Sequence, residues 1–86
     1  MGAPETYSVL VEVRLRPGIA DPQGATIERA LPALGFDGVR AVRSGKAFRL
    51  EVEADSADAA AARAGELAHR LLANPVIEES TVTVLG

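Results

Sequence analysis

The hydrophobic repeat of this chain changes period several times, and the order of those changes constrains the fold more than any other feature. From Tyr7 to Leu15 apolar and polar residues alternate, with Tyr7, Val9, Val11, Val13 and Leu15 on one face and Ser8, Glu12, Arg14 and Arg16 on the other. A period of two is that of a half-buried strand. Pro17-Gly18 breaks the run, and Asp21-Pro22 has the form of a helix start, with Asp as N-cap and Pro at the first helical position. Ile27, Leu31 and Leu34 then recur at helical spacing and Gly35 suits the C′ position, which predicts a helix over Pro22–Leu34 that Pro32 kinks or shortens.

Two strand-like runs follow, Val39–Ser44 and Ala47–Ala54, and their position around Gly45-Lys46 predicts a hairpin. In the second run Phe48, Leu50, Val52 and Ala54 oppose Arg49, Glu51 and Glu53. Asp55-Ser56 caps an alanine-rich helix, predicted over Ser56–Ala73, with Ala57, Ala60, Ala64, Leu67, Ala68 and Leu71 as its inner stripe and His69 and Arg70 at its negative end. Asn74-Pro75 stops it, and Ile77–Leu85 forms a last strand with Val82 and Val84 inward. The order is β-α-β-β-α-β, the ferredoxin-like pattern of the α+β class. The expectation is a two-layer sandwich in which a four-stranded antiparallel sheet carries both helices on one face.

A chain of 86 residues holds one such unit, expected over residues 7–86 behind a flexible extension, 1–6. Its core is thin: one Tyr, two Phe and no Trp leave Val, Leu, Ile and alanines to fill it. A small core with open strand edges predicts self-association, as a dimer or a tetramer. With a net charge of −3 and a single dense basic group, Arg43, Lys46 and Arg49, no broad phosphate-neutralising surface is expected, and so no nucleic-acid partner. The apolar runs are too short for a membrane span and residues 1–6 lack the features of a secretory leader, which predicts a cytoplasmic protein. Gly2 and Thr6 fit the myristoylation pattern, but no polybasic stretch or second acyl site would complete the anchor.

Chemistry has little to work with. The absence of cysteine excludes thiol nucleophiles, disulfides and Cys-based metal sites, and His69 has no second His for a metal or triad. Glu51, Glu53 and Asp55 read as solvated charges, and Glu78 and Glu79 lie on opposite faces of a strand, where they cannot share acid–base work. Nothing resembles the aromatic stacking surface of an RNA-recognition module or the paired thiols of a metal transporter of this fold. Asp21 reads as a helix cap, whose charge repels anions. Arg43-Ser44-Gly45-Lys46 reads either as a solvated hairpin tip or as a grip on a phosphate or carboxylate.

Three segments together carry a family resemblance: Asp21-Pro22-Gln23-Gly24, Val42-Arg43-Ser44-Gly45-Lys46, and Leu71-Leu72-Ala73-Asn74-Pro75-Val76-Ile77-Glu78. In this order the chain resembles the PurS family, the small subunits of phosphoribosylformylglycinamidine synthase, from about Tyr7 to Leu85. The resemblance implies a non-catalytic part of an amidoligase. A glutaminase subunit releases ammonia from glutamine, and a synthetase subunit uses ATP and magnesium to convert formylglycinamide ribonucleotide to formylglycinamidine ribonucleotide in purine synthesis. The small subunit self-associates, bridges the other two and itself binds no cofactor. Candidate interface residues on the three segments are Asp21, Gln23, Arg43, Lys46 and Asn74. Two other readings stay open: a small-molecule-sensing regulatory module of ferredoxin-like fold, and a purely structural homo-oligomer.

Overall fold

In the computed structural model, which describes residues 4–86, the elements are β1 (Glu5–Leu15), α1 (Pro22–Ala30), a 3-10 turn (Pro32–Leu34), β2 (Gly45–Ala54), α2 (Ala57–Leu67), a π turn (Ala68–Leu72) and β3 (Glu78–Val84). Residues 1–3, and with them Gly2 of the acylation pattern and part of the expected extension, lie outside the described residues. Glu5 and Thr6 belong to β1, opposite Ala54 and Glu53. β1 is the central strand of a three-stranded antiparallel sheet ordered β2-β1-β3.

Register follows from burial. Val9 lies between Leu50 and Val84, and Val11 between Phe48 and Val82, so one face of the sheet is apolar across all three strands. A slip of one residue would turn that entire set to solvent. α2 lies across this face. Its inner residues Ala60 and Ala64, with Ala68 at the start of the π turn, are fully covered, as are Val9, Val11 and Val13 beneath them. Small side chains at i, i+4 and i+8 let the helix backbone come close to the sheet, which is how an aromatic-poor chain closes its core.

The four-stranded sheet expected from the periodicity does not form. Residues 39–44 make no strand, and there is no hairpin at Gly45-Lys46. The reason lies in where their backbone goes. Ala41 has φ 55°, in the left-handed region, which interrupts an extended run. The Val42 N–H donates to Glu28 Oε1 at 3.0 Å and the Ser44 N–H to Asp21 Oδ2 at 2.6 Å. Donors two residues apart, which a neighbouring strand would have used, are taken by carboxylates of α1 and its cap.

α1 does not lie on the sheet face with α2, as both helices were expected to. α2 packs on all three strands, whereas α1 has only its own 3-10 turn as a substantial neighbouring element. The molecule measures 59 × 28 × 14 Å with a radius of gyration of 16.9 Å. A compact domain of this length would have about 12 Å. α1 and its flanking loops, residues 16–44, therefore form an arm beyond the Arg14–Gly45 end of the sheet, and only α2 covers the sheet face.

Smaller features follow sequence rules. Ser56 Oγ accepts the Ala59 N–H at 3.1 Å as the α2 cap, and Gly35 at φ 88° closes the 3-10 turn. The α2 stripe departs from strict helical spacing at its end. The Ala73 N–H reaches back to the Ala68 carbonyl at 2.8 Å, and the wider π turn brings Leu72 and Ala73 to the core while Leu71 is left 74% exposed.

Candidate functional site

The three sequence segments of the family resemblance converge on one end of the sheet, where the arm leaves and returns. Asp21 is the centre of this junction. As α1 N-cap its Oδ1 accepts the Gly24 N–H at 2.9 Å. The same oxygen accepts the Ser44 hydroxyl at 2.8 Å, and Oδ2 accepts the Ser44 N–H. The carboxylate thus binds the outgoing and the returning chain at once, and its side chain is nearly covered. Donation from the Gly24 and Ser44 backbones, then from the Ser44 hydroxyl, holds its pKa down at about 2.

Gly24 makes this approach possible. A Cβ there would stand 2.5 Å from the Val42 carbonyl oxygen and 2.7 Å from Asp21 Oδ2, so no other residue fits without moving the backbone. Glu28, seven residues after Asp21 and therefore on the same helix face, holds Val42. Arg43 Nη2 donates to the Ile19 carbonyl at 3.1 Å and ties the two stems of the arm together.

A second set of bonds fixes the turn before β3. Arg16 donates through Nε and Nη2 to the Pro75 carbonyl at 3.2 and 2.9 Å. Asn74 Oδ1 accepts the Val76 N–H at 3.1 Å, and the Asn74 backbone carbonyl accepts the Glu78 N–H at 2.7 Å. The Asn74 N–H in turn donates to Glu78 Oε1 at 2.6 Å, while Glu78 Oε2 stands 3.9 Å from Lys46 Nζ. Lys46 also lies over the Phe48 ring, 5.9 Å from its centroid.

Between these two sets is an open cleft of about 460 Å³, lined among others by Arg14, Asp21, Gln23, Lys46 and Glu78. Of the five candidate interface residues, Asp21, Gln23 and Lys46 border this cleft. Asn74 reaches it through Glu78, and Arg43 braces the arm beside it. Sequence reasoning missed Gly24, Glu28 and Ser44 as parts of one junction. The spacing of Asp21 and Glu28 was the available signal. Among the described residues no group of three His, Asp or Glu side chains gathers as a metal site, and no helix is long and apolar enough to cross a membrane.

Beyond the junction the arm is poorly covered. Leu34 is 68% and Phe36 55% exposed, and Ile27 and Val39 are also open to solvent. The site therefore joins a fixed polar cleft to an apolar arm, a combination suited to gripping another protein surface.

Comparison with known proteins agrees over nearly the whole chain. The family model PurS, phosphoribosylformylglycinamidine (FGAM) synthase, matches residues 8–86. The chain is 46% identical to phosphoribosylformylglycinamidine synthase subunit PurS of Mycobacterium leprae over 74 residues, covering 86% of this chain and 90% of that protein. It is 40% identical to the PurS subunit of Archaeoglobus fulgidus over 72 residues, covering 84% and 90%. The crystal structure of the Thermotoga maritima purS subunit superposes with a TM-score of 0.88 at 34% identity, covering 98% of this chain and 97% of that one. A chain of the Thermotoga maritima PurLQS structure superposes with a TM-score of 0.86 at 36% identity, covering 94% and 99%.

Proposed function

Because the chain belongs to the PurS family of phosphoribosylformylglycinamidine synthase subunits, we propose that it is the non-catalytic bridging subunit of that enzyme. The observation that carries this reading is the end-to-end likeness to a chain of the PurLQS structure. The glutaminase subunit releases ammonia, and the synthetase subunit uses it with ATP and magnesium to make formylglycinamidine ribonucleotide. This chain holds the two in a fixed relation in the cytoplasm, as a dimer or tetramer, and contributes no reacting group. Fixing donor and acceptor sites removes the diffusional step and limits escape and protonation of ammonia.

The junction supports this role. Gln23 and Lys46 border the cleft where a partner's polar groups would meet them, and Asp21, Arg43 and Asn74 hold the backbone that presents it. The exposed apolar side chains of the arm supply area for the same contact.

Reconstitution tests the reading. The synthetase and glutaminase are mixed with and without this chain, and product formation is followed with glutamine and then with ammonium salt as donor. Omission is expected to abolish the glutamine-dependent rate and to spare much of the ammonium-dependent one. Charge reversal at Arg43 and Lys46 is expected to mimic omission. Equal glutamine-dependent rates in both mixtures would refute bridging; a normal rate with the charge-reversed chain would refute the choice of site alone.

A further inference from the structure

The cleft between the α1 cap, the end of β1 and the start of β3 is mixed in character. Val13, Leu15 and Pro22 give it an apolar lining, while Arg14 and Lys46 bring positive charge and Asp21 and Glu78 negative. Its volume of about 460 Å³ lies within the range of small-molecule sites, about 300–1,000 Å³. Its charges are satisfied unequally. Asp21 accepts from the Gly24 and Ser44 N–H groups and the Ser44 hydroxyl, and Arg14 is engaged by Glu79 at 3.3 Å. Lys46 and Glu78 are not closed in this way. Nζ stands 3.9 Å from Oε2, beyond hydrogen-bond reach, although the Glu78 side chain is only 16% exposed. The other Glu78 oxygen is fixed by the Asn74 N–H at 2.6 Å, and the Lys46 ammonium lies over the Phe48 ring. A carboxylate and an ammonium held side by side but apart leave one acceptor and one donor for a ligand with the same two charges in reverse.

We propose that this cleft binds a free α-amino acid. The ligand's ammonium donates to Glu78 Oε2 and its carboxylate accepts from Lys46 Nζ, so that alternating charges close a ring, each new charge-assisted contact at about 2.7–2.9 Å. A ligand with a single charge fits less well. A simple anion drawn to Lys46 meets the Glu78 carboxylate beside it, and a simple cation drawn to Glu78 meets the Lys46 ammonium. An amino acid carries both groups on one carbon, at the short spacing that the Lys46 and Glu78 pair presents. The cleft is larger than that head group, so a side chain enters too. Val13, Leu15 and Pro22 suit a short aliphatic stem, and Gln23 at the rim suits an amide at its end, the side chain of glutamine. Every group in the site belongs to this one chain, so the site stands apart from bridging.

Titration of the full chain with L-glutamine, followed by amide chemical shifts, tests the site. Saturable shifts are expected at Gly45, Lys46 and Glu78, with the amides of Ala57–Ala64 in α2 unmoved. N-acetylglutamine, which lacks the ammonium, and glutamine methyl ester, which lacks the carboxylate, are each expected to bind roughly tenfold more weakly or worse. Glu78→Gln keeps an oxygen for the Asn74 N–H, and Lys46→Met keeps a stem over Phe48; each is expected to weaken glutamine binding by a similar factor. Absence of a saturable shift with glutamine would overturn the site. So would equal binding of N-acetylglutamine, the mark of a plain anion site, or glutamine binding unaltered by both substitutions. The analogues are read on the native chain, so they decide the question even where a variant unfolds. The glutamine-dependent reconstitution reports separately on bridging.

Discussion

The body of the molecule and its arm are held by different forces. In the body, α2 and the sheet enclose Val9, Val11 and Val13 with Ala60, Ala64 and Ala68, and every strand residue of the core is fixed by a ladder register. In the arm the large apolar residues Ile27, Leu34, Phe36 and Val39 face solvent, and the buried groups are Asp21 and Gly24 at its root. Burial of apolar area stabilises in proportion to the surface removed from water, so packing is the main force in the body. The arm depends on a few directional bonds and leaves its apolar surface in water. A subunit whose work is to hold others is expected to divide in this way, with a rigid platform and an incompletely covered contact surface.

The sharpest way to break the contrast is to truncate one apolar side chain to alanine in each region. Val11→Ala, in the body, is expected to lower global stability by about 2–3 kcal/mol. Phe36→Ala, in the arm, is expected to cost the isolated chain less than about 1 kcal/mol, because half its surface is already in water. Denaturant unfolding measures both. The order should reverse in assembly, where Phe36→Ala weakens association with the synthetase and glutaminase more than Val11→Ala at a temperature where both variants are folded. If the two substitutions cost equal stability, the division is wrong.

The junction itself offers a second cut. Gly24→Ala places a methyl group against the Val42 carbonyl and the Asp21 carboxylate, and overpacking of this kind costs about 1–3 kcal/mol. Hydrogen exchange should quicken at the Val42 and Ser44 amides and remain slow at the amides of β1. Uniform quickening would show that arm and body unfold as one unit.

Acid should separate the two regions in a graded way. The Asp21 pKa is depressed from 3.8 to about 2 in the folded state. Its contribution is therefore complete above the unfolded value and is lost as pH falls from about 4 through about 2. Protection of the Ser44 amide should decline across that interval in the native chain, and Asp21→Asn should remove this dependence. A Ser44 amide indifferent to pH between 4 and 2 would remove Asp21 as the latch. The smallest expected effect is at Ala41. Glycine there relieves the left-handed strain, and Ala41→Gly should stabilise the chain by about 0.5–1 kcal/mol by denaturant titration.

Much of the body was legible from residue order. Alternation at Tyr7–Leu15 and at Phe48–Ala54, the Ser56 cap and the spacing of Ala60, Ala64 and Ala68 all express local rules, because a strand or helix face is set by period alone. The candidate site was legible only as separate residues. Asp21, Gln23, Arg43, Lys46 and Asn74 came from the family resemblance, and their convergence on one end of the sheet appears only in three dimensions.

What the sequence by itself determined is the alternation of β1 and of Phe48–Ala54, the starts of both helices at Asp21-Pro22 and Ser56, and which family the chain resembles; the helix ends and the inward turn of Ile27, Leu34, Leu67 and Leu71 it did not. Only the tertiary structure decided that residues 39–44 are not a strand. Their pattern is that of one, but a hydrophobic period cannot report which acceptor wins a backbone N–H. Asp21 and Glu28 win the donors of Ser44 and Val42 across 23 and 14 residues of chain. That non-local competition leaves the sheet with three strands, swings α1 onto an arm and opens the outer edge of β2.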